Sequence, residues 1–168
     1  MTLAEAVTLI STDRISKIKS QEWADLGCGN GLFSKALISI LPPRSRVYAV
    51  DQRPFKFSHP QIKFIKSDFA SEELTLPILD GIMMINSIHY IKDKLPFIQQ
   101  LKTRLLPDGI FVLGEYEISK GNQWVPYPLT FSAATALFQE AGFSSIEKIH
   151  DHPSVLNSSS IYSAAISK

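Results

Sequence analysis

Cysteine is almost missing from this 168-residue chain: only Cys28 occurs. That excludes an intrachain disulfide framework and a cysteine-ligated zinc site; no metal site is expected, and a reducing compartment fits, with the cytoplasm as the expected setting. A charge excess is missing too. Seventeen Lys and Arg against sixteen Asp and Glu leave a net charge of +1, so the overall balance carries neither a nucleic-acid footprint nor a polybasic membrane anchor. No uncharged apolar run reaches transmembrane length, and the start, Met1 to Ile10, carries Glu5 with no basic region ahead of a long apolar stretch. Neither a membrane span nor a targeting segment is expected. Repeats, low-complexity tracts and linkers are also lacking. What remains is 45% hydrophobic residues, ten of them phenylalanine, enough for one sizeable core and too little for two ordinary domains. One domain over residues 1–168 is expected.

Leu3, Val7, Leu9, Ile10, Ile15 and Ile18 recur near helical spacing, which predicts an amphipathic helix over roughly the first twenty residues. Glu22 to Asp25 predicts a short strand stopped by Gly27, and Leu32 to Ile40 a helix ended before Pro42 and Pro43. Val47 to Val50 and Ile62 to Ile65 are strands that finish near Asp51 and Asp68, and Gly81 to Ile85 reads as a central strand buried on both faces. A helix over Leu95 to Leu106, a turn at Pro107-Asp108-Gly109 and a fifth strand over Ile110 to Leu113 follow. Thr130 to Ala141 is a helix closed by Gly142, and Ile146 to His150 and Ile161 to Ile166 are two last strands joined by a polar loop. Alternating strands and helices predict a parallel sheet, and two consecutive final strands an antiparallel partner at its end.

In Asp25-Leu26-Gly27-Cys28-Gly29-Asn30-Gly31 the glycines alternate directly after a strand and before a helix, where a ligand must approach bare backbone. A dinucleotide fold asks for G-x-G-x-x-G, so that pyrophosphate rests on the helix N-terminus; here the third position is Leu32, which counts against NAD or FAD. No Gly-Lys-Ser/Thr follows, so this is no phosphate loop. The plain alternative is a tight turn. Asp51 ends the second strand roughly twenty residues on, where a carboxylate accepts from both hydroxyls of a ribose. Taken singly, Asp51 and Asp68 read equally well as solvated strand-end carboxylates or helix caps.

The glycine run resembles the first motif of the class I S-adenosylmethionine-dependent methyltransferases, an acidic residue followed by G-x-G-x-G. The resemblance implies an α/β, Rossmann-like fold: a mostly parallel seven-stranded sheet with an antiparallel last strand and helices on both faces. It implies S-adenosylmethionine as cofactor and S-adenosylhomocysteine as product. It sets Gly27, Gly29 and Gly31 against the methionine moiety, with Cys28 and Asn30 of the same loop as cofactor contacts, Asp25 beside the ammonium group, Asp51 at the ribose, Gln52 at the ribose or adenine, and Asp68 at the adenine amino group with Phe69 flanking the ring. Asn86-Ser87-Ile88-His89-Tyr90 resembles the fourth motif more loosely, placing Asn86 and Ser87 at the cofactor and His89 near the transferred methyl group. Pro107-Asp108-Gly109 fits the segment before the family's fifth strand, so the resemblance spans Gln21 to Leu113. Between Asp51 and Ile62 the sequence departs from the pattern, because Pro54 and Pro60 leave no room for a full crossover helix.

Methyl transfer from a sulfonium is an in-line displacement in which the protein mainly aligns donor and acceptor, with a base helping where the acceptor is a hydroxyl or a protonated amine. His89, Glu115 and Glu117 are the candidate bases by position. Their alternatives are an imidazole satisfied by backbone and surface carboxylates past the fifth strand. Tyr90, Trp124 and Tyr127 are the candidate acceptor contacts, the last two in an aromatic, proline-rich segment between Ser119 and Pro128. A small-molecule acceptor is expected, with nucleic acid disfavoured by the neutral charge. So little chain is left to enclose a substrate that a large acceptor docking from outside, or a homodimer or partner subunit completing the site, are open alternatives. A cofactor-binding scaffold for a catalytic partner, a methyltransferase acting on protein or RNA, and a nicotinamide oxidoreductase are the competing functions.

Overall fold

The structure is a computed structural model describing residues 1–72, 74–153 and 160–168. In chain order its elements are α1 (Leu3–Ile10), β1 (Glu22–Leu26), α2 (Leu32–Ile40), β2 (Arg46–Asp51), β3 (Ile62–Lys66), β4 (Leu79–Ile85), a 3-10 turn (Ile88–Tyr90), α3 (Lys94–Lys102), β5 (Leu105–Tyr116), α4 (Phe131–Glu140), β6 (Ser145–Pro153) and β7 (Ser160–Ser167). The seven strands form one sheet in the order β3-β2-β1-β4-β5-β7-β6. β7 pairs antiparallel with both neighbours, and every other pairing is parallel. The expected mostly parallel sheet with an antiparallel last strand is therefore what the chain forms. The polar loop expected between the last two strands lies outside the described residues.

Strand alternation divides the core into two layers. On one face Trp23, Met83, Ile85 and Val112 pack against Ala6, Leu9 and Ile10 of α1 and Leu37 of α2. On the other, Leu26, Ile82, Met84 and Phe111 pack against Ile98 and Leu101 of α3 and Phe138 of α4. The central strands read as continuous apolar runs because helices cover both sides of them. Among the described residues, no helix is long and apolar enough to cross a membrane.

Three local expectations fail for physical reasons. The first helix stops at Ser11 rather than near residue 20. Ile15 still reaches the core, 1% exposed, from a turn closed by its N–H on the Thr12 carbonyl, whereas Ile18 is 94% exposed and belongs to no apolar face. Pro107-Asp108-Gly109 is not a turn ahead of a strand beginning at Ile110. β5 already pairs with β4 at Leu105, and the tripeptide is extra length in a bulge, since β4 advances from Leu79 to Gly81 while β5 advances from Leu105 to Ile110. α3 ends at Lys102, short of Leu106, because that bulged pairing takes Leu105 into the sheet. The shortened edge is as expected: residues 52–61 contain no helix.

Candidate active site

The strand order reverses between β1 and β4, and the loops after both converge at the carboxyl edge, where open α/β sheets hold ligands. All three loop glycines take positive φ, +87° at Gly27, +53° at Gly29 and +74° at Gly31. Their surroundings differ. A Cβ on Gly27 would lie 2.4 Å from the Ser87 Cβ, and one on Gly31 would lie 2.3 Å from the Phe57 ring, while a Cβ on Gly29 would meet nothing within 4 Å. Two of the glycines thus make room for the protein's own side chains. Only Gly29 presents bare backbone to open space.

Asp51 sits beside that opening. Its Oδ2 accepts the Gly29 N–H at 2.9 Å and its Oδ1 the Arg53 N–H at 2.8 Å. Each carboxylate oxygen keeps a further lone pair, so the group still has capacity for a diol. Directly after β4, Asn86 takes a left-handed φ of +53° that asparagine tolerates. Its side-chain Oδ1 is buried and has no hydrogen-bond partner among the described residues. A buried acceptor left without a partner has capacity for one more donor.

Other predicted cofactor contacts are engaged within the protein. Asp25 lies beneath the loop, 1% exposed, with Oδ2 accepting the Ser34 hydroxyl at 2.5 Å. Burial pushes its carboxyl up to about 7 against the pull of Ser34, and the nearby Asp51 adds to the rise. The Ser87 hydroxyl donates to the Leu26 carbonyl at 2.6 Å, tying the end of β4 to β1. The Asn30 side chain accepts the Leu32 N–H at the start of α2. Cys28 is buried, its N–H on the Val50 carbonyl and its thiol pushed upward by desolvation, far from a thiolate. The Asp68 carboxylate closes its own turn, accepting from the Ala70 N–H and the Ser71 hydroxyl. Phe69 turns its ring toward the loop, 3.5 Å from where a Gly27 Cβ would stand. Gln52 is exposed next to Asp51.

The two leading candidate bases meet. His89 Nδ1 lies 2.8 Å from both Glu115 oxygens, with His89 2% and Glu115 0% exposed. The alternatives for both residues are thereby corrected: the imidazole is held by a carboxylate rather than by backbone, and Glu115 is inside β5 rather than on the surface past it. Burial raises the Glu115 carboxyl, opposed by its hydrogen bond to His89 and by the charges of His89 and Lys94. Nε2 is buried with no partner among the described residues, and it is a bare acceptor in the state where Glu115 is ionised and Nδ1 carries the proton. Glu117, the third candidate, is used otherwise: its Oε2 accepts the Phe131 N–H at the start of α4. Tyr90 packs against the His89 ring at 4.3 Å between centroids, and the Tyr127 N–H donates to the His89 carbonyl. Both line a cleft of about 660 Å³ that also includes Phe69 and Phe97. Trp124 is 72% exposed and lines no part of that cleft. Sequence reasoning missed Ser34, Phe57 and Lys94. The sole advance signal was Phe57 in the helix-less stretch after Asp51.

A family model described as a methyltransferase domain matches residues 3–165. The chain belongs to the methyltransferase-domain family. Class I of these enzymes, whose fold it shares, uses S-adenosylmethionine as cofactor. Comparison with curated protein sequences gives no match. Among solved structures, a Burkholderia thailandensis 1,6-didemethyltoxoflavin N1-methyltransferase bound to its substrate and S-adenosylhomocysteine superposes with a TM-score of 0.70 at 15% identity, over 99% of this chain and 78% of that one. A phosphoethanolamine N-methyltransferase from Haemonchus contortus gives 0.76 at 14% identity over 98% and 52%. An S-adenosylmethionine-dependent methyltransferase from Aquifex aeolicus gives 0.67 at 14% over 99% and 98%. At these identities the likeness is one of fold, and the methyltransferase domain of this chain spans about half of the Haemonchus enzyme.

Proposed function

We propose that this protein, acting as one domain, transfers a methyl group from S-adenosylmethionine to a small-molecule acceptor carrying a hydroxyl or a protonated amine. The observation that carries the acceptor chemistry is the buried His89–Glu115 pair with its unpartnered Nε2. For the cofactor, the support is the open Gly29 backbone bonded to the Asp51 carboxylate, and the Asn86 oxygen without a partner among the described residues, all at strand ends on the carboxyl edge of the sheet. Asn86 would receive the ammonium group, Asp51 the ribose hydroxyls, and Gly29 would allow the chain of the ligand to pass close. Bound there, the cofactor supplies a methyl group already activated by a positive sulfur.

The protein's part is alignment and the handling of one proton. His89 Nε2 accepts the proton that the acceptor loses, and Glu115 stabilises the imidazolium that results; the buried setting strengthens that interaction. Tyr90 and Tyr127 offer flat apolar faces next to the His89 segment for an acceptor to rest on. The lone buried Cys28 supports a reducing, cytoplasmic setting.

The test is product formation from S-adenosylmethionine with a panel of small phenols, alcohols and amines, comparing the native chain with His89→Gln and Glu115→Gln. Loss of about a hundredfold or more in both variants, with S-adenosylhomocysteine affinity unchanged, is expected. Turnover that survives both substitutions would remove the proton-acceptor role. Absence of turnover with every acceptor, alongside intact S-adenosylhomocysteine binding, would favour the scaffold reading.

A further inference from the structure

Residues 52–61, where a crossover helix would stand, run instead as a strap across the start of α2. Phe55 and Phe57 are half-buried while Lys56 and Ser58 are exposed. Phe57 touches Phe55 edge-on at 4.9 Å and Phe64 of β3 at 6.4 Å, and the Lys35 ammonium of α2 lies over Phe55 at 5.5 Å. The edge of the Phe57 ring occupies the space that any side chain at Gly31 would need, 2.3 and 2.6 Å from its Cβ position. The root of the strap is fixed to the same site, since Asp51 accepts Arg53 N–H with one oxygen and Gly29 N–H with the other. Strap and glycine loop are therefore joined twice, at Asp51 and at the Phe57–Gly31 contact.

We propose that Phe57 is a positioning residue of the cofactor site: its ring, in place of a helix, holds the Gly31 turn and so keeps the Gly29 backbone and Asp51 in register for the ligand. The inference rests on the cofactor reading above. Filling space alone would make Phe57 matter for stability only. Positioning makes it matter for affinity in molecules that remain folded, because a small displacement of a binding backbone costs most of the contact it makes.

The experiment is calorimetric titration of the folded protein with S-adenosylhomocysteine, for the native chain, Phe57→Ala, Phe57→Leu, Gly31→Ala and the Gly31→Ala/Phe57→Ala double variant, with amide exchange followed at Gly29. Phe57→Ala is expected to weaken binding about tenfold and to speed exchange at Gly29, with Phe57→Leu recovering most of the affinity. The double variant should bind better than Gly31→Ala alone, since removing the ring relieves the two closest contacts of the added methyl group and leaves Phe55 Cε1 at 3.1 Å. Affinity and Gly29 exchange unchanged in Phe57→Ala would overturn the proposal. Should that variant not fold, the same comparison in Phe57→Leu decides it, a measurable loss with faster exchange supporting the proposal and native behaviour overturning it. No binding by the native chain would fail the cofactor reading instead, and Gly29 exchange in Phe57→Leu would still report whether the ring holds the loop.

Discussion

Three glycines at alternate positions do different work, and the difference is measurable. Gly29→Ala puts a methyl group into open space at a φ of +53°, which costs about 1 kcal/mol in backbone strain, so the protein should stay folded while its affinity for S-adenosylhomocysteine drops sharply. Gly27→Ala drives the same methyl group into Ser87 and should instead cost about 3 kcal/mol or more of stability, seen as a clearly lower melting temperature. Equal behaviour of the two variants would contradict the assignment of Gly29 as the ligand-facing residue. Asp25 gives a second prediction. Its carboxyl is raised to about 7 when folded and is ordinary when unfolded, so between those values the native state holds more protons. The stability it confers is complete below the unfolded value and is lost as pH rises through about 7. Thermal melts from pH 4 to 8 should show that decline in the native chain and a shallower one in Asp25→Asn; parallel curves would refute it. The pattern of acid and glycines was legible in the sequence because turn chemistry is local. Which glycine has open space beside it was not, because Ser87 and Phe57 come from distant segments.

Among elements, the legible ones are those whose signal is their own periodicity. α2 was read to its last residue, since Leu32 to Ile40 has both a clean apolar stripe and Gly31 and Pro42 as bounds. Periodicity overextends α1, because Ile15 and Ile18 continue a helical rhythm that the chain uses for a turn and an exposed residue. The β5 bulge was unreadable, as register depends on the partner strand. Glu117 shows how position alone misleads: it lies two residues from Glu115 and serves as the N-terminal partner of α4. Glu117→Ala should reduce stability by about 1 kcal/mol, seen in urea melts, and leave S-adenosylhomocysteine affinity untouched. A loss of affinity with unchanged stability would return Glu117 to the site.

For the whole molecule, strand order, helix layers and the carboxyl-edge crevice follow from the alternation of strands and helices together with right-handed crossovers, which leave few arrangements open. The fold then sets Gly29, Asp51 and Asn86 at three separate strand ends on the carboxyl edge, where Gly29 leaves an opening beside Asp51, and brings His89 and Glu115, twenty-six residues apart, into one buried pair. The pairing could not be read from sequence, because a loose fourth motif and a glutamate near the end of a strand gain meaning only when β4 and β5 lie side by side. The central claim is that this opening holds the cofactor. Its direct test is isothermal titration of the native protein and of Asp51→Ala with S-adenosylhomocysteine, with circular dichroism showing both to be folded. The account predicts saturable one-site binding that falls at least about tenfold in the variant; a native protein that releases no heat and binds no ligand, or a variant that binds as tightly as the native chain, would contradict it.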